Sequence, residues 1–140
     1  MKQQDRRRLA GELRSVCMRI SRRARFENVA TIAPHQFSVL AKLDSGSSTP
    51  RTLAELECVS APSMTRTLTG LQERGALTRA TDPQDRRRVV VTITDAGRRM
   101  LREGRRSRDE WMFERIRSLS DEECAVLREA QRILEGVVAR

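Results

Sequence analysis

Aromatic side chains are almost missing from this sequence, which contains no Tyr, one Trp and three Phe. Its hydrophobic core must therefore be aliphatic. Potential metal ligands are also scarce, with a single His and three cysteines (Cys17, Cys58 and Cys124) that lie far apart and form no CxxC pair. This spacing predicts neither a metal site nor a disulfide framework, and we expect no cofactor.

Long apolar segments are lacking as well. No run of apolar residues approaches the roughly 18 that a transmembrane helix requires, and no signal peptide is recognisable. We therefore expect a cytoplasmic protein with reduced thiols and no membrane partner. The single His, the absence of a glycine-rich phosphate loop and the absence of a Ser-His-Asp combination make an enzyme the weakest functional class.

Positive charge is what the sequence has in excess. Its 28 basic and 19 acidic residues give a formal net charge of +9, so a polyanionic partner such as nucleic acid is expected. The excess is concentrated near the N-terminus: residues 1–44 carry ten basic and four acidic groups, whereas residues 45–94 carry seven and five. Bulk charge therefore does not distinguish a nucleic-acid-binding surface from a solvated helix face.

Three segments have the apolar spacing of long amphipathic helices: residues 5–26, 94–119 and 120–139. The narrow stripe of the first consists of Leu9, Leu13, Val16, Cys17, Ile20 and Ala24. Thr94 is expected to cap the second segment. Gly104 within that segment indicates a kink or a close helix crossing, and Ser120 with Glu123 forms a capping box at the start of the third. Because narrow stripes on long helices need partner helices that one small domain does not supply, we expect a homodimer.

Two short helices joined by a tight turn lie between these segments. Thr49 and Ser60 are favourable N-caps, and each has a proline in the following helical turn, where a missing N–H is tolerated. Gly75 is suited to a left-handed stop after the second helix. The first of the two helices is expected to bury Leu53, Ala54 and Leu56. A turn of about three residues forces the helices to cross steeply, which is the geometry of a helix-turn-helix.

Residues 77–81 and 88–94 alternate as two strands, and the polar loop between them is too long for a two-residue turn. This loop is expected to project as a wing. Arginines at a wing tip are suited to the narrow minor groove of DNA, where the negative potential is strongest. Asp85 lies two residues before Arg87, so its carboxylate is expected to hold that guanidinium in one rotamer. The alternative is a solvated hairpin tip.

The N-terminal half of the second short helix carries the outward side chains that a recognition helix presents to base edges. Arg66 is the best candidate for a bidentate contact with guanine. Hydroxyl groups around it are suited to phosphates or bases, although an ordinary amphipathic helix also has a polar outer face. The predicted DNA-binding residues are Ser60, Ala61, Pro62, Ser63, Arg66, Thr67, Asp85, Arg86 and Arg87.

The stretch from Leu53 to Leu101 carries several motifs in a fixed order. They are a Ser/Thr-rich recognition helix, an L-x-x-R-G helix end, the D-P-x-D-R-R loop and a T-x-x-G opening of the next helix. The preceding PHQFSVLAKL segment fits the same pattern. In this combination the sequence resembles the MarR family of bacterial transcriptional regulators, and the resemblance covers essentially the whole chain.

The resemblance implies a mainly α fold with a small β-hairpin wing, a winged helix-turn-helix. Its elements would follow the order helix, helix, strand, helix, helix, strand, strand, helix, helix. Residues 1–140 would form a single domain, with a DNA-binding lobe at 30–94 and a helical dimerisation region at 1–29 plus 95–140. The protein would be an obligate homodimer that binds a pseudo-palindromic double-stranded DNA operator, as a repressor. Arg87, braced by Asp85, would enter the minor groove.

Many members of this family release DNA when they bind small aromatic anions. The resemblance therefore implies a small aromatic effector between the dimer helices and the reader. The proposed lining residues are Ile20, Phe26, Phe37, Trp111 and Met112, although a place in the core is the simpler explanation for each one. His35, at the start of the helix that precedes the helix-turn-helix, is expected to cap that helix rather than contact a ligand.

Two alternatives remain at this point. A thiol-switched, redox-sensing regulator would use Cys17 or Cys58, although Cys17 lies on the apolar stripe about one turn from the family's sensor position and the chain has no assisting Tyr. A winged-helix module for protein–protein interaction is the alternative from another functional class. Steeply salt-dependent binding to a palindromic duplex separates DNA reading from protein contact.

Overall fold

The computed structural model describes residues 1–27 and 32–139. Six helices and one two-stranded sheet occur in these residues, so the predicted mainly α fold with a hairpin wing is confirmed. The elements are α1 (Gln3–Phe26), α2 (Pro34–Asp44), α3 (Pro50–Glu57), α4 (Ala61–Glu73), β1 (Leu77–Thr81), β2 (Val89–Ile93), α5 (Asp95–Ile116) and α6 (Asp121–Val138). The expected lobe boundary at residues 29 and 30 lies outside the described residues.

The helix boundaries follow from local capping chemistry. Four predicted N-cap side chains each accept a hydrogen bond from the backbone N–H three residues further on: Thr49, Ser60, Thr94 and Ser120. Such a cap satisfies one of the free N–H groups of a helix start and contributes about 1 kcal/mol. Gly75 has a φ of 70°, the left-handed conformation predicted for the stop after α4.

One aliphatic core joins α2, α3, α4, the hairpin and the first half of α5. Its most deeply buried members are Val39, Leu40, Leu43, Leu53, Met64, Leu68, Leu71, Leu77, Val91 and Leu101. The prediction of an aliphatic core is therefore confirmed. Because α4 contributes its whole inner face to this cluster, the core fixes which side of α4 remains exposed.

The wing is an antiparallel hairpin whose register pairs Leu77 with Ile93 and Thr81 with Val89. The expected strand between α2 and α3 is wrong as a full element, since Ser48 forms only an isolated bridge with Val91. The two backbones exchange hydrogen bonds of 3.1 and 2.7 Å there. The ladder cannot extend beyond this bridge, because the chain turns at the Thr49 cap and Pro50 has no N–H to donate.

Leu56 was expected to be buried, and this prediction is wrong, since the residue is 58% exposed. Glu57 takes the inner position on α3 instead. Its carboxylate is contacted by the Lys42 ammonium group and accepts a hydrogen bond of 2.8 Å from the Ser38 hydroxyl. The Lys42 ammonium group and the Ser38 hydroxyl on α2 therefore allow a charged side chain to occupy this position.

The long outer helices are mostly unburied: neither α1 nor α6 contains a buried residue in its described part. At its C-terminal end α1 meets α5 through Glu27. The Glu27 carboxylate accepts a hydrogen bond of 3.3 Å from the Trp111 indole and pairs with Arg115 at 3.2 Å. Within the described residues, no helix is both long enough and apolar enough to cross a membrane.

Two glycines in α5 allow close approach of neighbouring segments. A Cβ at Gly104 would lie 2.7 Å from the Phe37 ring, so of the two predicted alternatives, a kink or a close helix crossing, this glycine allows a close approach, here to α2. A Cβ at Gly97 would lie 2.1 Å from the Ala76 carbonyl oxygen, which also accepts a hydrogen bond from the Thr94 N–H at 3.0 Å. The start of α5 is thus seated directly on the backbone between α4 and β1.

We expect Gly97→Ala to lower the free energy of unfolding by about 1–3 kcal/mol, since the methyl group meets a backbone oxygen that cannot move without disturbing the hairpin. Chemical denaturation followed by circular dichroism measures this loss. Gly11→Ala is the matched control, because a Cβ there meets nothing within 4 Å. The control should keep or raise stability, and an equally stable Gly97→Ala protein would contradict the proposed close contact.

Candidate nucleic-acid interface

The exposed face of α4 carries the residues predicted to contact DNA. Met64, Leu68 and Leu71 point into the core. On the opposite side, Ala61, Pro62 and Arg66 are exposed, Ser63 and Thr67 are half-buried, and the cap residue Ser60 is exposed. The fold therefore brings all six of these residues to one end of a single helix.

The hydroxyl groups on this face are already partly engaged. Ser60 Oγ accepts a hydrogen bond from the Ser63 N–H at 3.3 Å, and the Thr67 hydroxyl donates to the Ser63 carbonyl at 3.2 Å. Each oxygen retains acceptor capacity. The Arg66 guanidinium, by contrast, has no ion-pair partner among the described residues, so it is the strongest donor that this face offers to a ligand.

Thr65 and Thr69 share the outer face with Arg66 and were not among the predicted residues. The Thr65 hydroxyl donates to the Ala61 carbonyl at 3.0 Å. Their positions one helical turn apart, on either side of Arg66, are the signal by which the sequence could have revealed them. The Ser/Thr-rich character of the face is therefore continuous from the cap to Thr69.

The turn between α3 and α4 has an unusual backbone conformation. Cys58 adopts a left-handed conformation (φ 53°, ψ 42°), although it is not glycine. Its N–H donates hydrogen bonds to carbonyls of α3, and the Val59 N–H donates one to the Ala54 carbonyl at 3.0 Å. These bonds end α3 abruptly and place Ser60 ready to cap α4.

A cavity of about 320 Å³ lies between α2, the end of α3 and α4, beside Arg66. His35, Gln36 and Glu57 contribute to its polar wall. The expected capping role of His35 is wrong: the Gln36 side-chain oxygen accepts the hydrogen bond from the Ala33 N–H at 3.3 Å. Gln36 takes this role because it is the third residue of the helix, from which a side chain reaches back to the cap.

The wing loop is held by aspartates that bind backbone groups. Asp82 Oδ1 accepts a hydrogen bond from the Gln84 N–H at 2.9 Å. Asp85 Oδ1 accepts one from the Arg87 N–H at 3.0 Å. The expected contact between the Asp85 carboxylate and the Arg87 guanidinium is thus replaced by a contact with the Arg87 backbone, because an aspartate at the start of a turn reaches the N–H two residues on.

This arrangement leaves Arg86 and Arg87 as exposed cations at the wing tip. Neither has an ion-pair partner among the described residues. The next arginine, Arg88, is different, since its guanidinium lies 3.9 Å from the Asp82 carboxylate. The tip therefore presents two arginines on a loop whose backbone is fixed from within.

The five residues predicted to line an effector pocket do not share one cavity in the described part of the chain. Ile20 and Phe26 are exposed on α1, whereas Trp111 is only 8% exposed. Met112 lines a groove between α5 and α6. Phe37 packs under Arg108, whose guanidinium carbon lies 3.5 Å from the ring centroid. One chain therefore does not bring these five residues together, and the pocket expected between the dimer helices and the reader stays a prediction.

The Arg108 environment is nonetheless unusual for a cation. Burial lowers the pKa of its guanidinium, and the nearby positive charge of Arg25 lowers it further. Its Nε atom is buried without a hydrogen-bond partner among the described residues. Two arginines and an aromatic ring thus meet where α1, α2 and α5 converge.

Cys17 on α1 and Cys58 at the end of α3 are both exposed, and Cys124 is half-buried on α6. Cys17 lies on the apolar stripe of α1, in which no described residue is fully buried within one chain. The Cys58 thiol donates to the Glu55 carbonyl at 3.7 Å.

Comparison with known proteins agrees with this geometry. A model of the MarR family matches residues 32–89. An HTH-type transcriptional regulator from Mycobacterium tuberculosis is 38% identical over 133 residues, which cover 94% of this chain and 93% of that protein. A putative transcriptional regulator protein from Pseudomonas aeruginosa has a similar structure, with a TM-score of 0.81, 27% identity and 99% of each chain covered.

A further similar structure is a mutant of MepR from S. aureus bound to an oligodeoxyribonucleotide. It has a TM-score of 0.68 and 20% identity, covering 92% of this chain and 97% of MepR, and at this identity it shows the fold alone. With the capped recognition helix, the arginine-tipped wing and a relative that matches nearly the full length, the chain belongs to the MarR family of HTH-type, DNA-binding transcriptional regulators, which are not enzymes.

Proposed function

We propose that two copies of this chain bind a pseudo-palindromic operator in double-stranded DNA and act as a cytoplasmic repressor. In each copy α4 would enter the major groove and the wing the adjacent minor groove. The observation that carries this proposal is the pairing of an exposed Arg66 on a capped helix with exposed Arg86 and Arg87 on a braced wing, both attached to one shared core.

The major-groove contact is supported by the chemistry of the α4 face. Only Arg66 among its outward side chains is a cation, and a guanidinium matches the two acceptors on the edge of guanine. Ser60, Ser63 and Thr67 surround the start of the helix, where free N–H groups favour a phosphate. We therefore assign base reading to Arg66, and positioning on the backbone to the hydroxyl groups, with Ala61 and Pro62 as the apolar contacts.

Minor-groove insertion of the wing is supported by its stiffness as well as by its charge. Hydrogen bonds to Asp82 and Asp85 fix the loop before DNA arrives, so less conformational freedom is lost on binding. Asp85 therefore acts through the backbone of the loop, while Arg86 and Arg87 make the contacts. This argues against a simple solvated hairpin tip.

A homodimer is supported by the unburied apolar faces of the outer helices. Leu9, Leu13, Val16 and Ile20 on α1 are all exposed, although they form one stripe. On α6 the exposed apolar residues include Leu127, which is 47% exposed. A row of exposed apolar side chains along one helix face indicates an association surface. We propose that residues 1–29 and 95–140 of two chains pack together and hold the two lobes, residues 30–94, at a fixed spacing.

Repression follows from this geometry, because a dimer seated on both half-sites excludes other proteins from the same DNA.

We also propose release by a small aromatic anion, bound where Arg25 and Arg108 meet Phe37. Two cations beside an aromatic ring match the charge and the flat shape of such a ligand. A ligand there would contact both a dimer helix and the first helix of the lobe. The thiol switch at Cys17 or Cys58 stays an untested alternative.

The first test concerns base reading by Arg66. We expect Arg66→Ala to weaken operator binding by about 1–3 kcal/mol and to relax base preference at one position in each half-site. Site selection from random DNA followed by fluorescence anisotropy measures both effects. Arg117→Ala, which removes the same charge at the far end of α5, is the control. Unchanged base preference would show that Arg66 does not read bases.

The wing contact has a different signature. Arg87→Ala should weaken binding to all duplex sequences alike, and should make the dependence of log affinity on log salt shallower by about one. Titrations at several salt concentrations check this, with Arg117→Ala again as control. Normal binding by Arg87→Ala would show that the wing is not inserted. If wild-type affinity did not fall steeply with salt, a protein–protein module would become the better proposal.

The dimer proposal is tested by removing or charging the apolar surface of α6 that the dimer would bury. Deletion of residues 121–140 should yield monomers in sedimentation velocity, and so should Leu127→Asp, which places a charge in the groove between α5 and α6. Arg132→Ala on the polar side of α6, where Arg132 pairs with Glu129 at 2.5 Å, is the control and should remain dimeric. A stable dimer after the truncation would refute the role of α6.

A further inference from the structure

Arg79 occupies an unexpected position in β1. Along this strand Leu77 is buried, Thr78 and Ala80 are exposed, and Arg79 is half-buried. The side chain of Arg79 therefore lies on the same side of the strand as the core residue Leu77. A long charged side chain at such a position requires a specific partner.

That partner lies on the recognition helix. The Arg79 Nη2 atom donates a hydrogen bond to the Thr69 hydroxyl oxygen at 3.0 Å. Thr69 is exposed on α4, three residues after Arg66 and four after Thr65. The contact thus joins the first strand of the wing to the face of α4 that is proposed to read bases.

Stability alone does not explain this arginine. Its Nε atom is buried and has no hydrogen-bond partner among the described residues. An unpartnered buried donor costs free energy, whereas an aliphatic side chain at the same position would not carry that cost. The single hydrogen bond to Thr69 has to offset this cost, and residues that carry such a cost are expected at positions that serve function.

We propose that Arg79 and Thr69 form a clamp that fixes the angle between α4 and the wing, so that major-groove and minor-groove contacts form together. Arg79 is then a positioning residue for DNA reading, and this proposal rests on the proposed DNA binding. A two-stranded hairpin is marginally stable by itself. Here Leu77, Val91 and Ile93 seat the base of the hairpin in the core, and the Arg79–Thr69 hydrogen bond ties β1 to α4 on the exposed side of that base. A hydrogen bond between β1 and α4 restricts the wing before DNA binds, so less conformational entropy is lost when the operator is bound.

The test compares Thr69→Val, which removes the acceptor at constant shape, with Arg79→Met, which keeps the aliphatic stem. Each should weaken operator binding by roughly tenfold, the effect of one charged hydrogen bond. The double variant should bind the operator with about the same affinity as the single variant of lower affinity, because both changes remove the same contact. Hydroxyl-radical footprinting should show reduced minor-groove protection at the wing in all three proteins. Thr69→Ser, which keeps the hydroxyl, should bind normally.

Thr78→Val on the outward side of β1 is the matched control and should bind like wild type. A shallower salt dependence for Arg79→Met with normal binding by Thr69→Val would overturn the clamp and show a direct phosphate contact instead. Variants that lose thermal stability but bind the operator normally when folded would also overturn it. If wild type bound no duplex from a random pool, both the DNA-binding proposal and the clamp would fail. If wild type bound the operator and the Thr69→Val and Arg79→Met variants bound it equally well, the clamp alone would be overturned.

Discussion

The aliphatic core beneath α4 is the constraint on which the other features depend. Leu68 and Leu71 from the recognition helix, Leu40 and Leu43 from α2, and the hairpin residue Val91 share this one cluster. Since such interiors are closely packed, α4 cannot rotate about its axis without creating cavities. The core therefore decides that Arg66 faces outward, even though no core residue takes part in any proposed contact with DNA.

Polar contacts then refine what the core allows. Glu57 is held by Lys42 and Ser38, which ties α3 to α2, and the left-handed Cys58 ends α3 so that Ser60 can cap α4. Asp85 holds the wing loop through the Arg87 backbone. These interactions are individually small, but each fixes the position of one element of the proposed reading surface. The outer helices show the opposite case, because no described residue of α1 or α6 is fully buried within one chain.

Much of the fold follows from local patterns, and several errors share one cause. Thr49, Ser60, Thr94 and Ser120 were recognisable as caps, because a cap depends only on residues within one turn. The burial of Leu56 was wrongly predicted, since hydropathy does not show that Lys42, 15 residues from Glu57, pairs with the Glu57 carboxylate. Arg79 was missed for the same reason: its partner Thr69 lies on another element, and only the packing of α4 against β1 brings the two together.

The sequence by itself determined the order of the helices, the hairpin, the glycine stop at Gly75 and the family motifs, because these depend on neighbouring residues and on periodicity. Tertiary structure alone decided that the five expected pocket residues share no single cavity in the described part of one chain, and that the stretch around Ser48 is a bridge and not a strand. Each of these outcomes depends on distances between segments far apart in the chain, and side-chain type does not encode such distances until the core has packed.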